Sequence, residues 1–115
     1  MSTKIYHNPR CSKSRQTLQL LEEKGIQPEI IEYLKKAPST AELASLLSLL
    51  NMEPRALMRK GETIYKELNL KDDTLSNEQL ISAMVEHPIL IERPIVLANG
   101  KAAIGRPPEN VLDIL

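Results

Sequence analysis

The sequence contains no tryptophan, no phenylalanine and only one cysteine. With three tyrosines as the only aromatics, the core must be built from Leu, Ile, Val and Met, which reach interior density on their own. A single cysteine excludes both an internal disulfide framework and a dithiol redox pair. It also fits a reducing compartment, so a cytoplasmic location is expected. Charge of one sign is missing too: 15 Lys and Arg balance 15 Asp and Glu. That balance gives no basic stripe for a nucleic acid. The longest apolar stretch, Ala44–Leu50, holds two serines and falls well short of the roughly 20 residues a membrane span needs. No apolar segment near the N-terminus suggests a secretory signal. Two widely spaced histidines and one cysteine make no metal set, and no Gly-rich phosphate loop is present, so no bound metal or cofactor is expected.

The chain of 115 residues has the size of one domain, spanning 1–115. Lys4–His7 reads as a strand that stops at Asn8-Pro9. A helix is expected from about Ser12 to Lys24, with Leu18, Leu20 and Leu21 as its apolar residues and Gly25 ending it. The β-branched and aromatic stretch Glu29–Leu34 reads as a second strand. Ser39/Glu42 and Ser76/Gln79 have capping-box spacing. Leu43, Leu46, Leu47 and Leu50 recur on one face of the first helix they open, and Leu80, Ile81, Met84 and Val85 on one face of the second. Between them, Pro54 starts a short helix running to about Met58. Ile95–Ala98, the Asn99-Gly100 turn and Lys101–Ile104 form a hairpin. A final helix follows from Pro107-Pro108-Glu109, with Val111, Leu112, Ile114 and Leu115 as its apolar residues. The order is β-α-β, a helical block, then β-β-α. The expected fold class is therefore α/β, with a thioredoxin- or glutaredoxin-like core and a helical insertion at about 38–87 between the second and third strands.

Cys11 stands between the first strand and its helix, where free backbone N–H groups and the helix dipole stabilise an anion. Both effects favour the thiolate. A lone cysteine is most often a buried structural residue, but the flanking sequence Asn-Pro-Arg-Cys-Ser-Lys-Ser-Arg is polar and basic. Arg10, Lys13 and Arg15 add positive potential. His7 is placed to donate a hydrogen bond or polarise the site, and Ser14 to bond a sulfur or an oxyanion. Ser14 stands where a dithiol enzyme has its resolving cysteine. Any oxidised Cys11 must therefore be resolved by an outside thiol, for which glutathione backed by glutaredoxin is the expected source. A cysteine phosphatase would carry its arginine at position 17, which here is Thr17.

Arg59, Arg93 and Arg106 each lie at an element boundary. Guanidiniums bind tetrahedral oxyanions through paired N–H groups, although an arbitrary arginine is usually a solvated surface residue. In a thioredoxin-like fold the strand after Pro94 begins beside the cysteine loop. A cis Arg93-Pro94 bond would bring Arg93 near Cys11.

Four separated motifs carry a resemblance to the glutaredoxin-coupled arsenate reductases, in particular their short bacterial members: Ile5-Tyr6-His7-Asn8-Pro9-Arg10-Cys11-Ser12-Lys13-Ser14-Arg15, Arg55-Ala56-Leu57-Met58-Arg59-Lys60, His87-Pro88-Ile89-Leu90-Ile91-Glu92-Arg93-Pro94-Ile95-Val96 and Gly105-Arg106-Pro107-Pro108-Glu109. The basic Cys-Ser-Lys-Ser-Arg loop departs from the smaller, less basic sequence of the plasmid-encoded members. The resemblance implies that Cys11 is the nucleophile and that His7 helps activate it. It further implies that Ser14 and Arg15 support the loop and that Arg59, Arg93 and Arg106 hold arsenate and arsenite oxygens. Glutathione would be a co-substrate and glutaredoxin a partner. Two other readings compete with this one. A related branch of the superfamily binds RNA polymerase and senses redox state, but it carries the Cys-x-x-Cys absent here. A general glutathione-dependent thiol exchanger would need no arginine cluster.

Overall fold

The computed structural model describes residues 3–115. The described chain divides into two units, one formed by residues 3–36 and 93–115, the other by residues 37–92.

The first unit is a four-stranded sheet with helical segments packed on it. Strand β1 (Lys4–His7) leads through the cysteine loop into helix α1 (Ser12–Glu23). Gly25, at φ +77°, ends α1. Its N–H bonds the Glu22 carbonyl while the Ile26 N–H reaches back to Leu21, both at 3.0 Å. This Schellman closure suits a residue without Cβ. Strand β2 (Glu29–Glu32) pairs with β1 in parallel, Ile30 beside Ile5. It is shorter than the sequence suggests, because the Lys35 and Lys36 N–H groups turn back onto the Glu32 carbonyl.

Two further strands belong to the same unit. Strand β3 (Ile95–Ala98) lies antiparallel on the other side of β1, with Val96 opposite Ile5, and β4 (Lys101–Ile104) closes the sheet in the order β2-β1-β3-β4. Asn99 and Gly100 join them at φ 55° and 73°, the paired positive values of a type I′ hairpin. This is the thioredoxin-like arrangement expected from the element order. Ile5, Leu21, Val96, Ala98, Val111 and Ile114 form its core, with Leu18, Leu20, Ile26 and Ala103 packed against them. Each large aliphatic buried there contributes about 1.5–3 kcal/mol.

The last element corrects the sequence reading. Pro108–Ile114 winds as a 3₁₀ helix, whose period of three puts residues i and i+3 on one face. Pro108, Val111 and Ile114 are accordingly buried, whereas Leu112 and Leu115, also among the helix's apolar residues, are exposed.

The second unit is helical. Helix α2 (Thr40–Leu50) opens on a complete Ser39/Glu42 capping box and buries Leu43, Leu46 and Leu47. Leu50 is half-buried, and Asn51 in the left-handed region ends the helix. Helix α3 (Pro54–Leu57) stops one residue early because Met58 is extended and bridges to Ile91. Helix α4 (Thr63–Glu67) was not expected; it has no side-chain cap bond and its five residues carry no apolar period. Helix α5 (Asn77–Glu86) has the second capping box, at Ser76/Gln79, and buries Leu80, Ala83 and Met84. Ile81 and Val85 are half-buried, and a short 3₁₀ turn at Pro88–Leu90 follows. Among the described residues no helix is long and apolar enough to cross a membrane.

Candidate active site

The site of the first unit is built on the turn between β1 and α1. Asn8 organises it. Its carbonyl accepts the Cys11 N–H at 3.0 Å, its Oδ1 accepts the Arg10 N–H at 3.0 Å, and its own N–H donates to Ser14 Oγ at 3.0 Å. Arg15 Nη1 donates to the Pro9 carbonyl at 2.9 Å, so this basic side chain staples the loop. Cys11 is thereby held, half-exposed, in extended geometry as the N-cap of α1, its side chain making no cap bond.

Ser14 is fully buried and His7 nearly so, and they lie 2.6 Å apart, Oγ to Nδ1. Oγ also accepts the Asn8 N–H, and which of Oγ and Nδ1 donates in this short bond follows from the His7 tautomer. The His7 pKa lies below the ordinary value because of burial, with Glu32 opposing and Arg15 adding to the shift. A neutral ring results. The sequence reading put the Ser14 hydroxyl on sulfur or oxyanion. In the fold that hydroxyl is committed inward, and it is the Ser14 backbone N–H that faces the sulfur.

The Cys11 thiol is held below its ordinary pKa. Burial pushes it up, but the Ser14 N–H, the Arg93 side chain, the Lys13 N–H and the charge of Arg93 together outweigh it. Each of these favours the anion. Arg106 Nη2 lies 3.6 Å from the sulfur, and Arg106 Nε donates to the Arg93 carbonyl at 2.8 Å. Nε and Nη1 of Arg93 are shut off from solvent. The Arg93-Pro94 and Arg106-Pro107 peptide bonds are both cis. The structure thus brings Cys11, Arg93 and Arg106 together, with Ser14 and His7 behind them.

Arg59 belongs to the second unit. Its N–H donates to the Leu90 carbonyl at 2.7 Å, and its guanidinium pairs with Glu62 at 3.1 Å and Glu92 at 3.3 Å. Nearby, Arg55 donates to the carbonyls of Leu70 and Asp72. Sequence reasoning missed both sets of partners. It also missed Asn8, whose place before proline in a turn was the available signal for a side chain folded back on the backbone. Among the described residues no group of three or more His, Cys, Asp or Glu is placed to hold a metal.

The sequence profile of the ArsC family matches residues 6–114. Uncharacterized protein YfgD of Escherichia coli (strain K12) is 61% identical, over 97% of this chain and 95% of that protein. A protein of Haemophilus influenzae named arsenate reductase is 55% identical, over 100% of both chains. The solved structure of an arsenate reductase from Vibrio cholerae superposes with a TM-score of 0.97 at 59% identity, covering 100% of this chain and 98% of that one. With the fold and the full-length match in agreement, the chain is a member of the ArsC family.

Proposed function

We propose that this chain reduces arsenate to arsenite in the cytoplasm, with Cys11 as nucleophile and glutathione and glutaredoxin as the source of electrons. One observation carries the reading: the Cys11 sulfur lies beside two guanidiniums, with Arg106 Nη2 3.6 Å away and the Arg93 side chain hydrogen-bonded to it. A thiolate alone repels an oxyanion, while fixed cations beside it attract and orient one. Relatives named arsenate reductase support the choice of oxyanion.

In this mechanism the Cys11 thiolate attacks As(V). A sulfur–arsenic bond forms, and one arsenate oxygen takes up a proton and leaves as water. Arg93 and Arg106 stabilise the charge on the remaining oxygens. The glutathione thiolate then attacks the Cys11 sulfur. The sulfur–arsenic bond breaks and its electron pair stays on arsenic, which departs as arsenite. Two thiols have now given two electrons and are joined as a Cys11–glutathione disulfide. Glutaredoxin reduces that disulfide and restores the thiolate. The outside thiol is required because Ser14 offers no second sulfur within the loop.

The test is arsenite production from arsenate with glutathione and glutaredoxin. Wild-type protein is expected to produce it and Cys11→Ser is not. Absence of arsenite with the wild-type protein refutes the assignment. A general thiol exchanger would instead turn over a glutathione mixed disulfide regardless of Arg93 and Arg106.

A further inference from the structure

Arg106 follows β4 by one residue, and that residue is Gly105. A Cβ on Gly105 would stand 2.5 Å from Thr17 Oγ1, 2.8 Å from Pro94 Cγ and 3.1 Å from Thr17 Cγ2. Neither neighbour can move aside. Thr17 is fully buried and its hydroxyl donates to the Lys13 carbonyl at 2.8 Å. Pro94 is a buried ring whose carbonyl accepts the Gly105 N–H at 2.9 Å. Glycine is therefore required for close approach of the backbone to α1 and Pro94. On the far side of Arg106, Asn110 Nδ2 donates to the Arg106 carbonyl at 3.0 Å. Asn110 is exposed and lies outside the core of the unit.

We propose that Gly105 and Asn110 are positioning residues that hold the Arg106 guanidinium against the Cys11 sulfur, one by admitting the backbone and the other by fastening it. The proposal rests on the reading of Cys11 as the nucleophile, but its test reads the thiol itself. A charged hydrogen bond weakens steeply with distance and misalignment. A small outward shift of the Arg106 backbone therefore removes much of its effect on the sulfur. The other charged groups around the loop stay in place: Arg10 in the turn, Lys13 and Arg15 on α1, Arg93 before β3 and Glu32 on β2, with neutral His7 behind. The change is accordingly partial.

The measurement is the pH dependence of Cys11 alkylation by iodoacetamide in the wild type, Asn110→Ala, Gly105→Ala and Arg106→Ala, and in the two doubles with Arg106→Ala. Arg106→Ala is expected to move the midpoint up by about half a pH unit or more. Asn110→Ala should move it the same way by less, and the shift should vanish in the Arg106→Ala background. Gly105→Ala should behave likewise if thermal melting shows it folded; if it does not fold, Asn110→Ala decides alone. A midpoint unmoved by Asn110→Ala, or moved equally with and without Arg106, overturns the proposal. A wild type that alkylates as expected yet makes no arsenite refutes the arsenate reading only.

Discussion

Arg106 approaches the Cys11 sulfur to 3.6 Å across 95 positions of sequence. The same guanidinium donates through Nε to the carbonyl of Arg93 at 2.8 Å. One cation is thus tied to the backbone of the other, and both serve one sulfur.

Arg93 is the side chain with the largest hold on the thiol, through a hydrogen bond and through its charge. Arg93→Ala should raise the pH at which Cys11 becomes reactive, so alkylation near neutral pH slows. The expected reduction is about threefold to tenfold, since one pKa unit is a factor of ten in thiolate below the midpoint. An alkylation profile superimposable on that of the wild type would contradict the assignment.

Ser14→Ala should destabilise the fold. It strips a 2.6 Å partner from His7 Nδ1 and leaves the Asn8 N–H without its acceptor in a buried setting. A loss of about 1–3 kcal/mol is expected for such buried groups, read from urea unfolding. A midpoint equal to that of the wild type would show that water or rearrangement replaces both bonds.

His7 gives a pH dependence with a defined sign. Its pKa is lowered from the ordinary 6.5, chiefly by burial. On acidification the unfolded chain therefore takes up a proton before the folded one. The contribution to stability is complete above the unfolded value of 6.5, and is lost as the pH falls from there through the lower folded-state value. The urea midpoint should drop over that window in the wild type, and less steeply in His7→Gln. Parallel curves for the two proteins would exclude His7 as the source.

Arg59→Gln should leave Glu62 and Glu92 facing each other without their shared cation. All three side chains are largely buried, at 23%, 24% and 29% exposure. A loss of roughly 1–3 kcal/mol in unfolding free energy is expected. Arsenate kinetics on the same variant should show a raised KM if Arg59 also holds oxyanion, and an unchanged one if it serves only those carboxylates.

Much of the fold was legible because its signals act over a few residues. Gly25 and Asn99-Gly100 sit at positive φ as their positions implied, and both capping boxes close. Helix α4 escaped notice because Ile64 and Tyr65 alone do not make an apolar period. The last helix was misread for a related reason. Val111, Leu112, Ile114 and Leu115 fit an α-helical face as well as a 3₁₀ one, and packing of Pro108, Val111 and Ile114 against the sheet selected the tighter winding. At the site, Arg10, Lys13 and Arg15, the basic residues nearest Cys11 in sequence, were expected to add positive potential. The fold puts the Arg93 side chain and the Ser14 and Lys13 N–H groups on the thiol, brings Arg106 Nη2 to 3.6 Å from it, and turns the Arg15 guanidinium onto the Pro9 carbonyl.

The sequence alone determined where the reactive sulfur stands, at a strand-to-helix junction, and that it has no thiol partner within the chain. Those properties depend on adjacent residues and on composition. Only the tertiary structure decided which cations reach that sulfur, which way the Ser14 hydroxyl points, and that Gly105 must be glycine. The reason is physical: charge and hydrogen bonding act through a few ångströms of space, and residues far apart along the chain become neighbours only when the sheet and its helices pack.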